Sequence, residues 1–128
     1  MDQHEHHGEL VMGFLAEQKH IFDSSNQGMY VYLDDDCRAC NNNFASLLGY
    51  ASPDEWFKVD VHGAFPDAFV DHNSQMTLVT AYQDAMEKKV GSTIKVTWKK
   101  KSGETIDTTV IIVPVSYQGH MFALHFVS

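Results

Sequence analysis

Asn41-Asn42-Asn43-Phe44-Ala45-Ser46-Leu47-Leu48-Gly49-Tyr50 is a short helix with both ends written into it. Asn41 is an N-cap, a residue whose side-chain oxygen takes one of the free N–H groups of the first turn. Phe44, Leu47 and Leu48 form its apolar face. Gly49 suits the left-handed backbone that ends such a helix. Just upstream, Met29-Tyr30-Val31-Tyr32-Leu33 alternates as a strand, with Met29, Val31 and Leu33 on one face and Tyr30 and Tyr32 on the other. A strand apolar on both faces is normally covered on both. Gly28 opens it, Asp34-Asp35-Asp36 turns the chain, and Cys37 to Cys40 forms a second short strand.

Downstream, Ser52-Pro53-Asp54-Glu55 starts another short helix, with proline at its first position and acids in its first turn. Val59 to Val70 is irregular, with one or two helical turns. Asp71 to Lys89 is the longest helix, with Met76, Val79, Tyr82 and Met86 at helical spacing beside Leu78 and Ala85, and Gly91 as its stop. Three strands follow. Thr93 to Lys99 alternates Ile94, Val96 and Trp98 against Thr93, Lys95 and Thr97, a strand with one wet face. Lys101-Ser102-Gly103 reverses the chain into the β-branched run Thr105 to Val115. Ser116-Tyr117-Gln118-Gly119 reverses it again into His120 to Val127. Near the N-terminus, Leu10, Val11, Phe14, Leu15, Ile21 and Phe22 follow a helical period, after a frayed polar tail from Met1 to Gly8.

These elements predict an α+β domain, five antiparallel strands with helices packed on one face. Trp98, Phe122, Leu124 and Phe126 are expected to share a face with Ile94 and Val96. Ile111, Val113, Val115, Met121 and Ala123 are expected on the opposite face. Both faces are then apolar. The second must be covered by the N-terminal helix, a second copy of the chain, or both, which points to a homodimer.

Composition narrows the classes of function. The chain has 128 residues, 44% hydrophobic and 20% charged, enough for one domain with a core. Its 9 Lys and Arg stand against 17 Asp and Glu, a net charge of -8 that disfavours nucleic acid as a partner. The one basic cluster, Lys99-Lys100-Lys101, falls on a turn. The longest apolar run, Val110 to Val115, is too short to span a bilayer, and Met1 to Glu9 lacks the apolar stretch of a secretory signal. A cytoplasmic protein without a membrane segment is the expectation.

Taken together, the strand, tight turn, strand, Asn41-started helix ending Leu47 to Tyr50, and late Lys101-Ser102-Gly103-Glu104 hairpin resemble a PAS domain. The resemblance runs from about Ile21 to Val127. It implies residues 1–20 as tail and flanking helix, residues 21–128 as one PAS-like domain, and strand order 2-1-5-4-3. It further implies a ligand cavity between sheet and long helix and dimerisation through the outer sheet face. The implied role is a cytoplasmic sensory or protein-interaction domain of signal transduction, regulating an effector such as a histidine kinase of a two-component system, a nucleotide cyclase or a transcription regulator. The expected pocket residues are Phe44, Leu48, Val79, Tyr82, Ile94, Val96, Trp98, Phe122 and Leu124. Two positions depart from the pattern. Asp35 stands in the first turn where many relatives carry Gly, and Phe126-Val127-Ser128 stands where many carry Asp-Ile-Thr and a signalling linker. The reactive-cysteine motif of the blue-light subclass is missing.

The remaining chemistry-bearing residues have plainer readings. Cys37-Arg38-Ala39-Cys40 has redox or zinc spacing, yet residues three apart on a strand point to opposite faces, so structural thiols are expected. His4, Glu5, His6 and His7 offer metal donors on a tail without fixed geometry. His72, near the start of the long helix, is the candidate ligand of a haem, the chemistry of a haem or flavin sensor. His62 is a weaker one. Asp107 and His125 are the acid–base pair of a further alternative, a small cone-shaped enzyme or binding protein. No phosphate loop, nucleophile turn or zinc-protease motif is present, and no catalytic residue is assigned.

Overall fold

The computed structural model describes residues 3–34, 37–62 and 64–128. The order is α1 (Gln3–Glu17), α2 (Lys19–Ser24), β1 (Gly28–Asp34), β2 (Cys37–Cys40), α3 (Asn42–Leu47), α4 (Pro53–Phe57), α5 (Phe65–Phe69), α6 (His72–Lys88), β3 (Ser92–Lys99), β4 (Thr105–Tyr117) and β5 (His120–Val127). The strands form one antiparallel sheet in the order β2-β1-β5-β4-β3, as expected. Asp35, the departure noted in the first turn, lies outside the described residues.

The deciding decapeptide folds as read. Asn41 Oδ1 accepts from Phe44 N at 2.9 Å. At the other end Gly49 has φ +85, Gly49 N donates to Ser46 O and Tyr50 N to Ala45 O, a Schellman pattern. The Leu48 carbonyl accepts from Lys101 N at 2.8 Å, and Lys101 Nζ reaches Glu55 Oε1 at 2.9 Å. The two sequence signals, fifty residues apart, therefore touch. Ser52 caps α4 by accepting from Glu55 N at 3.1 Å.

Three expectations change. The tail read from Met1 to Gly8 is helical from Gln3, so α1 carries His6 and His7. The long helix stops at Lys89, itself left-handed at φ 56, two residues before Gly91. Its buried line is Ser74, Leu78, Ala81 and Ala85, while Met76 is 75% exposed. Spacings of four, three and four define that line, and its two alanines let α6 lie close over Ile112 and Ala123.

Cross-strand register settles the faces. Val110 pairs with Val127, Ile112 with His125 and Pro114 with Ala123, so Ala123, His125 and Val127 face the helices. Phe122, Leu124 and Phe126 pair with Val115, Val113 and Ile111 on the opposite face. Phe122 and Leu124 were expected in the pocket; Phe122 packs instead against Phe14 of α1, ring centres 5.2 Å apart, and Leu124 lies half-buried at the edge of that outer cluster. The parity follows from the two-residue turn Gln118-Gly119, both at positive φ (49 and 81), which pairs Tyr117 with His120. A strand apolar on both faces gives no such information by alternation alone.

The sheet thus carries two cores. On the inner face Tyr30, Phe44, Leu48, Trp56, Phe65, Phe69, Val96 and Trp98 are buried among α3 to α6. On the outer face α1 covers Met29, Val31, Ala39 and Phe122. Beyond α1 the outer face stays apolar, with Ile111 exposed and Val113, Leu124 and Phe126 half-buried. Cys37 belongs to the outer core and Cys40 to the inner one, so the two thiols point apart. Burial pushes the Cys40 thiol up to about 12.

Candidate functional site

A cavity of about 50 Å³ lies between the inner sheet face and the helices. Tyr30 and Tyr32 of β1, His125 of β5, Phe65 and Pro66 of α5, and Leu78, Val79 and Tyr82 of α6 line it. Of the residues expected to form a pocket, Val79 and Tyr82 do so. Phe44, Leu48, Val96 and Trp98 are packed solid behind the cavity, and Ile94 bridges the inner core and the α6 cluster. Trp98 is held there by its indole N–H, which donates to Thr108 Oγ1 at 2.9 Å while that hydroxyl donates to Val96 O.

The walls are aromatic. Tyr32 meets Tyr82 and Phe65 edge-on, with ring centres 5.1 and 5.3 Å away. Tyr30 stacks flat on His125, 3.8 Å between centres and 9° between planes. Desolvation dominates the electrostatics. Burial lowers the His125 imidazole to about 3, against the pull of backbone hydrogen bonds at Ala123 and Tyr30, so it is neutral. Burial also raises the Tyr30 phenol well above its ordinary value, and Tyr32 adds to this. The Tyr30 hydroxyl is buried and has no hydrogen-bond partner among the described residues. The site therefore carries no charge and presents ring faces, with the Tyr30 hydroxyl buried beside it and lacking an acceptor among the described residues.

Sequence reading overlooked Tyr30, Tyr32, Phe65, Pro66 and Leu78 as lining residues, and named His125 only as half of the acid–base pair of the enzyme alternative. The tyrosines were legible as one strand face. His125 required the parity of β5, which the turn decides. Arg38, between the two cysteines, was passed over as well. It is 2% exposed, its Nη2 donates to the carbonyls of Trp56, Phe57 and Val59 at 3.0–3.3 Å, and its guanidinium lies 4.9 Å from the Trp56 ring centre. It closes the C-terminal end of α4, where carbonyls have no helical partner.

The other candidates stand apart from the cavity. His72 is exposed on the first turn of α6, beside the cap made by Asp71. His62 is exposed near Asp60. Asp107 is on the outer face of β4, accepting from Thr97 Oγ1 at 2.7 Å, so the sheet separates it from His125. The cavity volume falls well below the roughly 300–1,000 Å³ of pockets for drug-sized ligands. A haem or flavin does not fit it, and His72 does not face it.

The sequence profile of the PAS domain family matches residues 16–83, more than half of the chain. The chain belongs to the PAS domain family. Solved structures agree on the fold. A PAS domain from Colwellia psychrerythraea is 16% identical with TM-score 0.67, covering 90% of this chain and 95% of that one. A PAS domain of a two-component sensor histidine kinase is 14% identical with TM-score 0.59, covering 91% and 96%. The PAS domain of the fruit-fly ELK potassium channel is 18% identical with TM-score 0.61, covering 90% and 95%. No curated protein matches. PAS domains thus occur in sensor histidine kinases and other signalling proteins, and the family is in general sensory rather than catalytic. Among the described residues of this PAS domain, no helix is long and apolar enough to cross a membrane.

Proposed function

We propose that this PAS domain is a cytoplasmic sensory and interaction module that takes a small uncharged molecule into the Tyr30–His125 cavity. The observation that carries this reading is an aromatic, charge-free cavity, beside which the Tyr30 phenol is buried without a partner among the described residues. A volume of about 50 Å³ suits a ligand of a few heavy atoms. Its arrival presses on α5 and α6, and the outcome is a shift in populations between two packings of helix and sheet. An effector such as a histidine kinase reads that shift.

The experiment is a screen of small neutral alcohols, ketones and phenols by ligand-observed NMR, on the wild type and on Val79→Trp. The indole of that variant fills the cavity from α6. Binding in the wild type and loss of at least tenfold in affinity in Val79→Trp is the expected result. Equal binding by both proteins, or binding by neither, overturns the reading.

The same proposal assigns the uncovered outer face to a second copy of the domain. Ile111, Val113, Leu124 and Phe126 lie side by side on β4 and β5 beyond α1, continuous with the apolar face that α1 already covers. Light scattering should give a dimer mass for the wild type and a monomer mass for Ile111→Glu, because a charge pressed into an apolar contact is costly. A wild-type monomer at high concentration removes dimerisation from the proposal.

A further inference from the structure

A groove of about 220 Å³ lies on the surface between α5 and α6, lined by Ala64, Pro66, Asp67, Gln75, Met76 and Val79. Pro66 and Val79 also line the inner cavity. The two spaces thus meet at one proline from α5 and one valine from α6. Both side chains are half-buried, and neither carries a polar group.

The other walls of the cavity are harder to open. Tyr30 and Tyr32 of β1 and His125 of β5 belong to strands paired with each other in the middle of the sheet, so moving them breaks the ladder. Tyr32 and Tyr82 make further interactions besides their ring contact. Leu78 is buried in the inner core. The α5 wall is different, because its fastenings lie toward one end. Gln75 Nε2 donates to Val70 O at 3.2 Å, Lys99 Nζ donates to Asp67 O at 3.0 Å, and Val70 bridges to Trp98 of β3. At the other end Ala64 supplies no side-chain cap, and Pro66 has no N–H to donate. Parting Pro66 from Val79 therefore loses apolar contact and breaks no hydrogen bond between the two side chains.

We propose that small molecules reach the Tyr30–His125 cavity through the α5–α6 groove, with Pro66 and Val79 as the gate. The inference rests on the reading of that cavity as a binding site. α5 rocks on its fastened end while Phe65 stays in the core, and a neutral molecule passes between the two side chains. Met76, 75% exposed, stands at the mouth. The Asp67 carboxylate on the rim disfavours anions. Such a gate sets the rates of entry and exit together and leaves affinity alone, because the same barrier is crossed both ways.

The probe is xenon, a neutral atom that apolar protein cavities take up. Chemical-shift mapping on the labelled chain locates it, xenon exchange NMR gives both rates, and circular dichroism checks the fold of each variant. In the wild type, shifts are expected at Tyr30, Tyr32 and Phe65. Met76→Trp lays an indole over the mouth from a residue that does not line the cavity. It should slow entry and exit together by roughly tenfold, with affinity unchanged. Pro66→Ala thins the gate and should speed both by a similar factor. Thr80→Trp, exposed on α6 and lining neither space, should exchange as the wild type does. Xenon bound at those residues with wild-type rates in Met76→Trp and Pro66→Ala overturns the gate and leaves the cavity reading standing. A slowing in Thr80→Trp equal to that in Met76→Trp overturns the gate as well. No xenon at Tyr30, Tyr32 and Phe65 overturns the gate and the cavity reading together.

Discussion

Asn41→Ala lowers the stability of the domain by about 2–4 kcal/mol, the sum of a lost cap of about 1 kcal/mol and of buried groups left without partners at about 1–3 kcal/mol. The side chain is 5% exposed and makes four hydrogen bonds. Its Oδ1 accepts from Met29 N at 3.0 Å and from Phe44 N, and its Nδ2 donates to Phe22 O at 3.1 Å and Gln27 O at 3.0 Å. One amide thus joins the end of α2, the first residues of β1 and the start of α3. Alanine strands two N–H groups and two carbonyls in places water reaches poorly. The melting temperature should fall by roughly 10 °C or more, read by calorimetry and by urea unfolding. A loss under 1 kcal/mol would mean that water or neighbouring side chains replace these bonds.

Acid is the second large lever. His125 titrates at about 3 in the fold, against an ordinary value near 6.5. Above 6.5 the imidazole is neutral in both folded and unfolded chains and favours neither. Below it, the unfolded chain takes up a proton that the folded chain refuses. Stability therefore falls with falling pH, by about 1.4 kcal/mol per pH unit for this one group, until the folded imidazole also protonates near 3. His125→Phe keeps a ring against Tyr30 and cannot titrate. Urea unfolding from pH 7 to pH 4 should show a slope in the wild type that is shallower by about one proton in the variant. Equal slopes would show that His125 does not control acid sensitivity.

The fold was legible because its local signals agree with one another. The Asn41 cap, the Gly49 stop, the alternation of β1 and β3 and the Gly103 turn each demand a particular backbone, and the structure supplies all four. The cavity was less legible. Val79 and Tyr82 lie on a helix whose period is visible. Phe122 and Leu124 were assigned to the wrong face because β5 is apolar on both sides and its parity depends on how many residues the preceding turn holds. Phe65 and Pro66 come from a five-residue helix without a side-chain cap; a helical turn was expected somewhere in Val59 to Val70, but its short pattern did not show which side chains turn inward. His6 and His7 were placed on a tail because their contacts with Asp34 and His120 are made only once α1 lies on the sheet.

The first strand and the last lie side by side in the middle of the sheet, Gly28 against Val127 and Tyr30 against His125. Partners so distant along the chain meet only after a long loop has closed, which places this domain among slow folders relative to helical bundles of its size. Synthesis imposes the same order. While β5 is still within the ribosome, β1 and β4 lack their shared neighbour, and Met29, Val31 and Ile112 have no completed sheet to cover them. The nascent domain is thus most exposed to misassembly in the moments before β5, His120–Val127, emerges.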